Sequence, residues 1–149
     1  MSETSEQILK VAQEQAQARH LKYFGDVTPQ QAWRLLQEMH GAVLLDVRTE
    51  AEWELVGSVP NALEICWKVY PDWELNPHFL AEVQAKVRPD QLVLTLCRSG
   101  VRSVDAAVAL TQAGYARVLN ILEGFEGDKN DDAQRVLNGW KRAGLPWYQ

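Results

Sequence analysis

The sequence predicts an α/β domain with a mainly parallel central sheet of about five strands, helices on both of its faces, and an extra N-terminal helix. Three observations predict it. The apolar run Leu92–Leu96 suits a strand covered on both faces, and Ala42–Val47 and Tyr115–Ile121 read as a short buried strand and a further strand. Segments with helical apolar spacing, bounded by start and stop signals, lie between them. A chain of 149 residues makes one domain most naturally, and at that size roughly 70% of the unfolded surface can be buried without staples.

Residues from Ser5 to about Leu21 are rich in Gln, Ala and Glu, with a thin helical stripe of Ile8, Val11, Ala12 and Ala16. This stripe is expected to pack on the domain or on a partner, so residues 1–25 are assigned as a helical extension and 26–149 as the main domain. Thr28, Pro29 and Gln31 form a capping box with proline at the first helical position. Ala32, Leu35, Leu36 and Met39 share the following face, and Gly41 stops the helix. A short buried strand then ends in Asp46-Val47-Arg48. Thr49 and Glu52 form a second capping box, opening a helix of one or two turns through Leu55 that Gly57 closes.

Ala62 to Val69 reads as extended and contains Cys66, most simply a small buried apolar residue, or on a sharper reading a resolving thiol. Residues Tyr70 to Pro77 read as an irregular insertion able to wall a pocket. Asn76-Pro77 starts a helix with Leu80, Val83 and Val87 inward, and Pro89-Asp90 turns the chain into the next strand. After the strand Leu92–Leu96 come Cys97-Arg98-Ser99-Gly100-Val101-Arg102-Ser103 and then a helix. Ser103 is its expected N-cap, Val104, Ala107, Val108 and Thr111 its expected face, and Gly114 its stop. The strand Tyr115–Ile121 leads to a glycine loop, Leu122–Gly127, and a terminal helix ending near Trp140.

The chemistry concentrates at Cys97. A strand that delivers a cysteine to a tight loop feeding a helix sets backbone N–H groups around the sulfur, and such a nest favours an anion. Arg98 and Arg102 add positive charge. Together these effects are expected to lower the thiol's pKa and make Cys97 a nucleophile in an anion-binding cup. At the carboxyl ends of parallel strands, where Cys97 falls, α/β sheets bind their ligands.

Cys-Arg-Ser-Gly-Val-Arg-Ser resembles the active-site loop of single-domain rhodanese-like sulfurtransferases. Leu44-Leu45-Asp46-Val47-Arg48-Thr49 resembles the family's other signature, and the likeness runs from about Asp26 to Pro146. The sequence departs from the family at Ser58, where members commonly carry His, and at Asn61, where they commonly carry Gly. The resemblance implies that Cys97 takes a sulfane sulfur as a persulfide and passes it to a nucleophilic acceptor. Arg98, Ser99, Gly100, Val101, Arg102 and Ser103 would bind the substrate, with Asp46 and Arg48 as structural support. The implied donor is a small sulfur-containing anion such as thiosulfate, and the acceptor a thiol, cyanide or a sulfur-accepting protein. Two other readings stay open: a non-enzymatic sulfur carrier or redox-sensing module, and a cysteine-dependent phosphatase or arsenate reductase. The latter resemble Cys-x5-Arg, whereas Arg102 follows Cys97 after four residues. A tetrahedral oxyanion needs a wider ring of donors than one sulfur, so the shorter loop favours a persulfide.

Composition narrows the partners. A net charge of −5 and a pI near 5.2 without a basic stripe argue against nucleic acid. No apolar run approaches membrane-spanning length, and His20, His40 and His78 lack metal-ligand spacing, so neither membrane, metal nor cofactor is expected. Two cysteines and no secretory h-region point to the cytoplasm, with a monomer or homodimer as the assembly.

Overall fold

The computed structural model describes residues 4–69, 72–135 and 137–149. In them the strands are β1 (Gly25–Val27), β2 (Val43–Asp46), β3 (Leu63–Glu64), β4 (Lys68–Val69), β5 (Glu74–Leu75), β6 (Leu92–Leu96) and β7 (Arg117–Ile121). The helices are α1 (Ser5–Ala18), α2 (Pro29–Glu38), α3 (Glu50–Leu55), α4 (Phe79–Lys86) and α5 (Arg102–Gln112). Five strands form one sheet in the order β1-β7-β6-β2-β3, every neighbour pair parallel. The strand expected to be covered on both faces is β6, with all five residues buried, and the two further strands read from the sequence are β2 and β7.

Alternation along these strands builds two cores. Leu92, Leu94, Leu96, Leu119 and Ile121 pack with Ile8, Ala12, Ala32 and Leu35 from α1 and α2. Val93, Cys97, Leu45, Val47 and Val118 pack on the opposite face with Phe79 and Val83 of α4 and Ala106, Ala107 and Leu110 of α5. Cys97 therefore belongs to the α4–α5 face by parity alone. Both expected capping boxes form, Thr28 with Gln31 and Thr49 with Glu52. The stripe on α1 packs onto the domain itself through Ile8, Ala12 and Ala16, while Val11 faces outward. The close fit requires glycine at residue 25, where a Cβ would lie 2.6 Å from the carbonyl oxygen of Ala12.

Several local expectations are corrected. The inward face of α5 is Ser103, Ala106, Ala107 and Leu110, because its small residues let the helix approach the sheet. Ser103 is not the N-cap. The helix starts at Arg102 with Val101 in the N-cap position, two residues before the expected cap and without a side-chain cap, and the Ser103 side chain is fully buried. On α4 the inward residue is Phe79 rather than Leu80, since Phe79 stacks edge-on against Trp67. The segment expected to be irregular includes β5, which pairs antiparallel with β4; Tyr70 and Pro71 lie outside the described residues. No helix follows β7 among the described residues. There the Asn130 side chain accepts the backbone N–H groups of Asp132 and Gln134, a turn that competes with helical bonding. Asn61 adopts φ 65°, a left-handed backbone that asparagine tolerates.

Candidate active site

Strand β6 carries Cys97 one residue past its carboxyl end, where the thiol is only 1% exposed yet lines an open cavity of about 320 Å³. Of the N–H groups from Arg98 to Ser103, the one hydrogen-bonded to the sulfur is that of Gly100, at 3.1 Å. The Ser103 hydroxyl lies 3.3 Å from it on the other side. A second loop holds the first. Phe125 N–H donates to the Cys97 carbonyl at 2.8 Å and Glu126 N–H to that of Arg98 at 3.0 Å. These bonds give the loop's first two carbonyls partners in the second loop. The approach requires glycine at 124, where φ is +67° and a Cβ would fall 2.5 Å from the carbonyl carbon of Arg98. The glycine loop is thus the back wall of the cysteine loop.

The charge balance differs from that expected of two bare arginines. Arg102 donates to Glu52 through both terminal nitrogens, at 2.7 and 2.8 Å, and its guanidinium lies 5.2 Å from the Trp73 ring centre. Burial alone would raise the Glu52 carboxyl's pKa. The bonds and charge of Arg102, with those from Thr49, outweigh burial and hold it below the usual range. Burial likewise pulls the Arg102 guanidinium down, but Glu52 outweighs it and leaves the value raised. Arg98 Nε sits 3.0 Å from Glu126 Oε2, an ion pair not aligned as a hydrogen bond. Both loop arginines therefore have carboxylate partners. Lys68 and Arg135 line the same cavity from outside the loop, and neither forms an ion pair among the described residues. Ser99 and Val101 complete the wall, Val101 largely exposed at the rim.

Asp46 and Arg48 form a fully buried ion pair with Nε–Oδ1 and Nη2–Oδ2 bonds of 3.0 and 2.8 Å. Arg48 also donates to the Gly57 carbonyl at 2.8 Å and lies 4.2 Å over the Phe125 ring. Cys66 and Cys97 are both free thiols. Cys66 is half-buried beside Asn76; burial first, then the charge of Glu82, pushes its thiol up.

Glu52, Lys68 and Arg135 escape the sequence reading as site residues, Glu52 entering it only as a capping residue, whereas Trp73 lines the cavity from the 70–77 insertion expected to wall a pocket. A further group is a buried polar row behind the sulfur. Asp26, Asn120 and Thr95 stand in register across β1, β7 and β6. Asn120 accepts from the Ser103 hydroxyl at 2.5 Å and donates to Asp26 at 3.0 Å, while Thr95 Oγ1 donates to the Ser103 carbonyl at 3.0 Å. The available signal was one polar residue interrupting each of two apolar strands. Among the described residues no group of three or more His, Cys, Asp or Glu side chains is placed to hold a metal ion. None of their helices is long and apolar enough to cross a membrane.

Fold and site together define a parallel α/β domain whose central strand ends in a buried loop cysteine at a cationic cavity. The chain belongs to the rhodanese-like domain family, whose model matches residues 28–131. It is 38% identical over 120 residues to an uncharacterised protein of Rickettsia conorii, covering 78% of this chain and 90% of that protein. It is 31% identical over 123 residues to the thiosulfate sulfurtransferase GlpE of Actinobacillus succinogenes, covering 83% and 89%. The crystal structure of Rv0390 from M. tuberculosis superposes with a TM-score of 0.79 at 41% identity, covering 85% of this chain and 98% of that one.

Proposed function

We propose that the protein is a sulfurtransferase that carries a sulfane sulfur on Cys97 by double displacement. The observation that carries this reading is the single-atom cup: Cys97 Sγ, bonded by Gly100 N–H, lies at the bottom of a cavity lined by Lys68, Arg98, Arg102 and Arg135. The thiol first loses its proton to water in the cavity. The thiolate then attacks the outer sulfur of an anion such as thiosulfate. The new S–S bond forms as the donor's own breaks, and sulfite leaves with the electron pair. Cyanide or a thiol then attacks the outer sulfur of the persulfide, and the thiolate is regenerated.

The Gly100 N–H and the surrounding cations stabilise the negative charge on sulfur in both halves. Because Glu52 and Glu126 offset Arg102 and Arg98, Lys68 and Arg135 contribute much of the remaining positive field at the donor's anionic end. Residues 26–149 are the unit we assign to the reaction, with 1–25 as an extension. Free thiols at both cysteines suit a reducing compartment such as the cytoplasm.

Intact-protein mass spectrometry after incubation with thiosulfate tests the reading. One added sulfur atom, absent in Cys97→Ser and removed by cyanide with release of thiocyanate, is expected. Hydrolysis of an aryl phosphate without any sulfur adduct would refute it in favour of phosphatase chemistry. An adduct that no small acceptor discharges would instead mark a carrier that hands sulfur to a docked protein.

A further inference from the structure

The polar row behind Cys97 has a forced direction. A carboxylate only accepts hydrogen bonds, and Asp26 takes three: from Tyr23 Oη at 2.8 Å, Asn120 Nδ2 at 3.0 Å and Arg19 Nη1 at 3.0 Å. Burial, then the bond to Asp26, pushes the Tyr23 phenol far above its usual value, so it remains a donor. Asn120 must therefore turn its amide nitrogen to Asp26 and its carbonyl oxygen to Ser103. That oxygen accepts the Ser103 hydroxyl proton at 2.5 Å. A hydroxyl has one proton, so what Ser103 Oγ presents to Cys97 Sγ, 3.3 Å away, is a lone pair. Ser103 and Asn120 are each at most 1% exposed, so bulk solvent does not compete for the bond between them.

We propose that Asp26 and Asn120, neither of which touches the sulfur, are positioning residues that latch Ser103 as an acceptor and hold Cys97 as a hydrogen-bonded thiol at rest. When the thiol proton leaves to cavity water, Ser103 gives up its bond to Asn120 and turns its O–H to donate a hydrogen bond to the sulfur anion, the proton staying on the serine oxygen. The chain's far end is anchored by Arg19 and Tyr23, so the N-terminal extension sets the resting state of the site. This latch rests on the proposed role of Cys97 as the reacting thiol, but its test does not need sulfur transfer.

The test is the rate of Cys97 alkylation by iodoacetamide as a function of pH, in a Cys66→Ser background so that one thiol reports. Asp26→Asn lets the Asn120 amide reverse, and Asn120→Ala removes the acceptor; both free the Ser103 proton for the sulfur. Each is expected to raise the rate at neutral pH about tenfold, as a charge-assisted bond replaces a neutral one, and to move the rate–pH midpoint downward.

In a Ser103→Ala background the Asn120→Ala effect must vanish and the Asp26→Asn effect must shrink to what its lost charge alone supplies, because the coupling runs through that hydroxyl. The charged groups facing the sulfur are Arg98 and Arg102 of its loop and Lys68 and Arg135 across the cavity. Glu52 and Glu126 act on the two loop arginines, with the Asp46–Arg48 pair at the end of β2. These are common to every variant; Asp26→Asn also deletes one carboxylate, so the charge-neutral Asn120→Ala is the variant that reports the Ser103 bond by itself. Circular dichroism confirms folding, and Asn120→Ala carries the test if Asp26→Asn does not fold. Unchanged midpoints, or an Asn120→Ala effect that persists with Ser103→Ala, would overturn the latch. A protein showing the latch pattern but taking no sulfur from thiosulfate would instead refute the proposed function alone.

Discussion

Replacing Arg48 with Met removes the positive half of a buried pair while keeping much of its volume. Both side chains are fully inaccessible, and Asp46 meets the guanidinium through bonds of 3.0, 3.2 and 2.8 Å. The substitution leaves a carboxylate in the core with the Arg48 backbone N–H, 3.1 Å away, as its remaining donor, and it strips the Gly57 carbonyl of a partner. Breaking a buried pair in this way costs about 3–5 kcal/mol. For a domain near this size each kcal/mol lowers the melting temperature by about 2–4 °C, so a loss on the order of 10 °C is expected. Urea unfolding followed by tryptophan fluorescence, with thermal scans alongside, measures it. Adding Asp46→Leu should recover most of the deficit, because an apolar replacement of the whole pair is close to neutral. Recovery stays incomplete, since Gly57 still lacks its donor. A single-mutant cost below about 1 kcal/mol, or a double mutant less stable than the single, would refute the assignment of the pair as a coupled structural unit.

Cys97→Ser should abolish the thiosulfate-derived adduct with the fold intact, whereas Cys66→Ser should retain most activity per folded molecule; equal losses would contradict a single working thiol. Gly124→Ala places a methyl group 2.5–2.6 Å from Arg98 and Cys97 backbone atoms at φ +67°. It should displace the cysteine loop and cut the sulfur-loading rate far more than it lowers the melting temperature. Because the Glu52 carboxyl is held below its ordinary 4.5, the stability it contributes is complete above about that pH and disappears as pH falls through the lower folded value. Glu52→Gln should therefore be least stable relative to wild type at neutral pH, and the two should converge in acid, as read from urea midpoints at a series of pH values.

Local chemistry made much of this protein legible. The capping boxes at Thr28 and Thr49 act within four residues, and both form as read. The apolarity of Leu92–Leu96, broken only by Thr95, marks a strand buried on both faces whatever packs on it. The loop from Cys97 to Ser103 is contiguous, so its cysteine, glycine and arginines were recognisable together. What the sequence could not disclose depends on groups brought together from far apart. Glu52 and Arg102 are 50 residues apart, and their pairing turns an expected bare cation into half of an ion pair. Asp26 and Asn120 are 94 apart, and only the parallel register of β1 on β7 sets them side by side behind the sulfur. Ser103 carried a local signal that misled: a serine at a helix start suits an N-cap, but a buried partner competes for the same hydroxyl. The choice between caps is a difference of one hydrogen bond, and the packing of α5 against β6 and β7 decides it.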